Sequence, residues 1–131
     1  EETYYFKADA GKFLASPADE TPMAPCDVQP DELDVAICVD RIETATTMKI
    51  PRVERKWAGL RSFVADKTIV AGFDPDLAGF FWLAGQGGYG IQTAPAMGRV
   101  VAALATGGSL PADLLQLGVT EAALSPARFR R

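Results

Sequence analysis

Histidine is absent from this 131-residue chain. Without an imidazole, Ser-His-Asp and Cys-His catalysis and most zinc sites are excluded. What remains is chemistry carried by a cofactor, or no chemistry. Cysteine is scarce: Cys26 and Cys38 are the only two, and they do not form a CxxC pair. Cys38 falls on the apolar stripe of an expected helix, so it reads as a buried free thiol. Two such cysteines suit a reducing cytoplasm, the expected location. No apolar run approaches a membrane span. Positive charge is in deficit, with 13 Lys+Arg against 17 Asp+Glu and a net charge of -4. That balance argues against a nucleic-acid partner, because a phosphate binder needs a basic face. A further gap is local. From Leu77 through Ala112 there is no Asp or Glu, and Arg99 is the only charge.

That uncharged stretch contains Trp82-Leu-Ala-Gly-Gln-Gly-Gly-Tyr-Gly-Ile-Gln-Thr-Ala-Pro-Ala-Met-Gly98. An apolar run leads into a loop holding Gly85, Gly87, Gly88 and Gly90, and then into a helix of small residues. Glycines let the backbone approach a flat or anionic ligand without a Cβ in the way. The helix start adds unpaired N–H groups aimed at that ligand. The spacing is not the GxGxxG dinucleotide fingerprint.

Elsewhere the pattern predicts an α+β chain of one-domain size, long enough to bury a core. Tyr4 to Lys7 and Lys12 to Ala15 read as strands about the turn signal Asp9-Ala-Gly11. Pro30 opens a helix whose apolar face is Val35, Cys38, Val39 and Ile42. Lys49 to Lys56 is β-compatible, and Trp57 to Phe63 and Thr68 to Phe73 read as strands. Phe80 to Ala84 reads as a short strand buried on both faces. The next helix runs from Thr93 or Ala94 to Thr106, capped by Thr93, with Pro95 in its first turn and Gly107-Gly108 as its stop. Pro111 to Leu115 is a short helix, and Thr120 and Ser125 cap two more turns. Asp19-Glu20 and Asp74-Pro-Asp76 read as solvated turn residues, with no pattern for a metal or a general acid. No residue is assigned a proton-transfer or metal-binding role.

Trp57-Ala-Gly-Leu-Arg61, the following strand with Asp66 and Gly72, and Phe81 through Pro95 together resemble the C-terminal part of the FAD-dependent D-amino acid oxidase superfamily. Glycine oxidases, sarcosine oxidases and D-amino acid dehydrogenases belong to it. The likeness extends to the opening Tyr-rich strand and the closing Ser125-Pro-Ala-Arg-Phe129. It implies three spans. Residues 1–79 would be the late part of a substrate-binding domain, an antiparallel sheet with one amphipathic helix. Residues 80–108 would be the last strand, glycine loop and helix of an FAD-binding α/β domain. Residues 109–131 would be a helical tail.

The resemblance further implies FAD as cofactor and an amino acid or related amine as substrate, a D-amino acid or an N-substituted glycine. Arg61 would bind the substrate carboxylate, and Tyr4, with Tyr5 as neighbouring alternative, would orient the substrate. Gly87, Gly88, Tyr89, Gly90, Ile91 and Gln92 would touch the flavin. Gly88 stands where glycine oxidases carry a second arginine, which argues against glycine as substrate and against a two-arginine clamp. Ser62 stands where a proline usually follows Leu-Arg. The ADP-binding half of the family fold has no counterpart here, so the chain reads as a C-terminal fragment, inactive alone and able to form a homo-oligomer. A non-catalytic binding module and one subunit of a hetero-oligomeric flavoenzyme are the alternatives.

Overall fold

Two hairpin turns and a handful of helix caps organise the regular structure. The computed structural model describes residues 3–130. The expected spans 1–79 and 109–131 each reach beyond these at one end. The chain is mixed α+β and divides into two compact units, residues 1–60 and 61–131.

In the first unit, β1 (Tyr5–Asp9) and β2 (Lys12–Ser16) pair antiparallel, with Asp9 opposite Lys12. The two linking residues, Ala10 and Gly11, both take positive φ, at 46° and 77°. That is the type I′ geometry whose twist matches a two-residue hairpin. Phe6 and Phe13 meet edge to face with centroids 6.1 Å apart. A proline-rich loop then leads to α1 (Glu32–Ala45). Asp31 caps this helix, accepting from the Leu33 amide at 2.8 Å and the Asp34 amide at 3.3 Å. The helix therefore starts two residues after Pro30, because the Asp31 carboxylate satisfies the first free amides better than a turn opened by proline. Cys38 and Ile42 on the expected stripe are buried, and Val35 and Val39 are half-buried. At the exit, the Thr46 hydroxyl donates to the Ile42 carbonyl at 2.7 Å. The Glu43 carboxylate accepts from the Ile50 amide at 2.7 Å.

The expected strands over Lys49–Lys56 and Trp57–Phe63 do not form, and residues 51–62 are exposed throughout. β-propensity alone does not make a strand. A ladder partner is needed, and none pairs with this stretch among the described residues.

In the second unit, β3 (Val70–Phe73) pairs antiparallel with β4 (Phe81–Ala84), Val70 opposite Ala84 and Phe73 opposite Phe81. Asp74 builds the turn. Its Oδ1 accepts from the Asp76 and Leu77 amides, both at 2.8 Å, and its Oδ2 accepts from the Trp82 indole at 2.8 Å. Next come α2 (Gly90–Ala105), α3 (Ala112–Gln116), α4 (Glu121–Leu124) and a 3-10 turn, Pro126–Phe129. The core joins Ala71 of β3, Val100 of α2, Leu110, Leu114 of α3 and Leu124 of α4, with Met97, Val101 and Leu104 around it. Gly107, at φ 77°, ends α2, and the Gly108 amide reaches back to the Ala103 carbonyl at 2.8 Å. Thr120 and Ser125 cap as expected, each accepting an amide hydrogen bond at 3.2 Å.

Two expectations for this unit are corrected. β4 is not buried on both faces: Trp82 and Leu83 are 39% and 44% exposed. A two-stranded sheet has too little second layer to cover both sides. The second helix begins at Gly90, not at Thr93 or Ala94, and Tyr89 occupies the cap position. Thr93 lies inside the helix, its hydroxyl donating to the Tyr89 carbonyl at 2.7 Å. Pro95 is consequently beyond the first turn, where it cannot donate to the Ile91 carbonyl and loosens the helix start.

Candidate functional site

The glycine loop forms a cradle whose missing side chains make room for the chain just after Leu60. A Cβ on Gly85 would lie 3.0 Å from Val64, one on Gly87 2.5 Å from the Phe63 ring, and one on Gly88 2.6 Å from an Arg61 guanidinium nitrogen. Gly87 also holds φ 53°, a left-handed value that disfavours any side chain there. The Gly87 amide donates to the Ser62 carbonyl at 3.0 Å. Residues 62–64 are thus laid against the loop, most tightly at Gly87, while the Arg61 group near Gly88 is the end of an exposed, flexible side chain.

The guanidinium of Arg61 sits over the Phe63 ring, 5.2 Å from its centroid, and the Lys67 ammonium approaches the same ring at 6.0 Å. Both cations lie within cation–π range of the one Phe63 ring. The start of α2 adds to this positive region. Gly90, Ile91 and Gln92 are not loop residues but its first turn. Their amides precede the first intrahelical bond, which runs from the Thr93 amide to the Tyr89 carbonyl at 3.1 Å. No side chain caps that end, and its first turn holds no acid. Such an end carries roughly half a positive charge. Ile91, in the same turn, is 95% exposed.

The Tyr89 hydroxyl donates to the Lys67 carbonyl. The neighbouring Asp66 carboxylate is held down at about 2, chiefly by hydrogen bonds from Arg128 and then by the Thr68 amide. Asp74 is also lowered, by the Trp82 indole first and then by the turn amides.

Arg61 and Gly87–Gln92 are therefore brought together within the second unit. Tyr4 belongs to the first unit, half-buried just ahead of β1, whereas Tyr5 is exposed. Phe63 and the Ser62 carbonyl carry much of the geometry and were not singled out by sequence. Their partners are a ring edge and a backbone amide, which leave no spacing signal. Among the described residues no group of three or more acids or cysteines converges as a metal site. Among the described residues no helix is long and apolar enough to cross a membrane.

The uncapped amides that open α2, with an arginine near Gly88, suit a ligand with acceptor atoms along one edge and a tendency to gain negative charge. The pyrimidine edge of a flavin has that chemistry. A family model described as FAD dependent oxidoreductase matches residues 1–104, a span that includes Arg61 and residues 87–92. With most of its length inside that match, the chain belongs to the DAO family of FAD-dependent oxidoreductases.

Proposed function

We propose that this chain supplies the substrate-carboxylate anchor and the flavin-edge loop of an oxidoreductase acting on an amino acid or related amine. Residues 1–79 would serve substrate binding, residues 80–108 would return to the flavin domain, and the remaining residues would form a supporting tail. The observation that carries this reading is the nearness of Arg61 to Gly88, where a guanidinium nitrogen lies 2.6 Å from the place of a Cβ, two residues ahead of the uncapped start of α2.

Arg61 offers two parallel N–H donors to a carboxylate, a match that lysine cannot reproduce. Tyr4 would orient the same substrate through its hydroxyl. The amides of Gly90, Ile91 and Gln92 would face the flavin edge, and the exposed Ile91 side chain would be covered by the cofactor region. Bound FAD would supply the two-electron acceptor for oxidation of the carbon bearing the amine. The chain's own part is to hold the substrate carboxylate, exclude water and stabilise negative charge with fixed dipoles. The glycine loop differs from a pyrophosphate-binding fingerprint. We propose that the ADP half of the cofactor is held by polypeptide outside these 131 residues.

The test is Arg61→Lys in the complete flavin-loaded protein. Loss of a bidentate charged pair is worth about 1.5–3 kcal/mol. KM for a D-amino acid should rise roughly 10- to 100-fold, while an amine lacking the carboxylate should be little affected. An equal KM for the carboxylated substrate would remove Arg61 from the pocket.

A further inference from the structure

We propose that Arg128 is a positioning residue for the flavin-contacting loop, acting through the turn at residues 65–68 and the Tyr89 hydroxyl. The inference rests on the reading of residues 87–92 as that loop. Arg128 lies beyond residue 104, outside the family match, yet its side chain is only 14% exposed. All three of its nitrogens are engaged. Nε donates to Asp66 Oδ2 at 2.7 Å, and Nη2 donates to Asp66 Oδ1 at 3.1 Å and to the Thr68 carbonyl at 2.6 Å. Nη1 donates to the Leu124 and Ser125 carbonyls at 2.9 and 3.1 Å. One guanidinium therefore ties the C-terminal tail to both sides of the turn. The Pro126 ring supports the tail, lying 3.0 Å from where a Cβ on Gly72 would stand.

The turn is where the brace meets the loop. Asp66 Oδ1 also accepts from the Thr68 amide at 3.0 Å. Lys67 sits between them at φ 58°, a left-handed value uncommon for a lysine, and its amide donates to the Val64 carbonyl at 2.9 Å. With both flanks fixed, the Lys67 carbonyl is a stationary acceptor for the Tyr89 hydroxyl. Tyr89 is the last residue before α2. Its amide donates to the Gln86 carbonyl at 3.1 Å, and its carbonyl accepts the first helical bond. Arg128, Asp66, Lys67 and Tyr89 thus form a continuous chain of hydrogen bonds and backbone from the tail to the helix start. Donors aimed at a cofactor edge lose strength with small displacements, so fixing Tyr89 fixes their aim.

The experiment compares Arg128→Gln, Tyr89→Phe and the double variant with the unaltered complete protein. Tyr89→Phe keeps the ring and removes only the hydroxyl, which guards against a misfolded tail in Arg128→Gln. Amide hydrogen exchange is read at Tyr89 and Thr93. The FAD dissociation constant and the visible absorption band of bound flavin are read on the loaded protein. Each single variant should speed exchange at both amides about fivefold, weaken FAD several-fold and shift the flavin band. The double variant should do little more than the stronger single, because both act along one chain. Unchanged exchange at Tyr89 and Thr93 in Arg128→Gln would overturn the brace. Faster exchange with unchanged FAD affinity and band, where Gly87→Val does weaken FAD, would overturn the positioning role and leave the loop assignment standing. FAD affinity indifferent to Gly87→Val as well would overturn the loop assignment, and the proposal with it.

Discussion

The two units differ in how they hold their candidate site residues. The first buries two hydrophobic side chains among the described residues, Cys38 and Ile42, and leaves Tyr5, Phe6 and Phe13 of its hairpin exposed. The second buries Ile69, Val70, Ala71, Val100, Leu110, Leu114 and Leu124. A site that needs fixed dipoles should sit on the better-packed element, and the glycine loop does. Tyr4, by contrast, precedes a strand exposed at every position. The lesson is that rigidity is concentrated where the flavin edge is proposed to lie, while Tyr4, the proposed substrate-orienting residue, precedes a lightly supported hairpin.

The strongest way to break this comparison is core truncation. Leu124→Ala should destabilise the second unit by about 2–5 kcal/mol, read as a fall in the urea midpoint. Ile42→Ala in the first unit should cost less, because a thinly packed site collapses around the gap. Equal losses would show that the first unit is as firmly packed as the second. Asp31→Ala tests the first unit's main local support. Removing a cap that serves two amides should cost about 1 kcal/mol and fray the start of α1, seen as lost helical circular dichroism. No change in ellipticity would show that packing alone fixes that end.

Acid sharpens the contrast further. Asp66 is lowered from 3.8 to about 2 by Arg128 and the Thr68 amide. A carboxyl with a depressed folded value stabilises the fold above its unfolded value and loses that contribution as pH falls through the folded one. The second unit should therefore weaken between roughly pH 4 and pH 2, and Asp66→Asn should flatten that limb in acid titrations followed by fluorescence. A limb of undiminished slope would remove the Asp66–Arg128 pair as its source. The smallest effect concerns the thiols. Cys26 is exposed and Cys38 buried, and burial pushes the Cys38 thiol up, against a smaller opposing pull from Arg41. At pH 8, Cys26 should react with a thiol reagent at least about tenfold faster. Equal rates would mean that the small core around Ile42 opens readily.

Much of the local structure was legible in the sequence. The Asp9-Ala-Gly11 turn, the apolar stripe through Cys38 and Ile42, the Gly107-Gly108 stop and the caps at Thr120 and Ser125 rest on φ preferences and hydrogen bonds between near neighbours. Expectations failed where distant partners decide. Trp57–Phe63 has strand-like residues but no strand to pair with among the described residues, and Phe80–Ala84 has an apolar run but little to bury it. The helix after the glycine loop started early because Tyr89, fixed through Lys67, took the cap position that Thr93 was expected to fill. Asp74 reads as one solvated acid of a pair, yet its carboxylate organises the whole β3–β4 turn.

The sequence by itself determined which chemistry is open to this chain. Lacking histidine, it excludes imidazole catalysis, and it clusters glycines in a stretch free of acids. Only the tertiary structure decided how that region is assembled. It folded Arg61 and Phe63 into the space left by Gly88 and Gly87, and it joined Arg128 to a turn distant in sequence. The reason is that local propensity acts over a few residues, whereas a side chain's place against a glycine depends on what the rest of the chain delivers there.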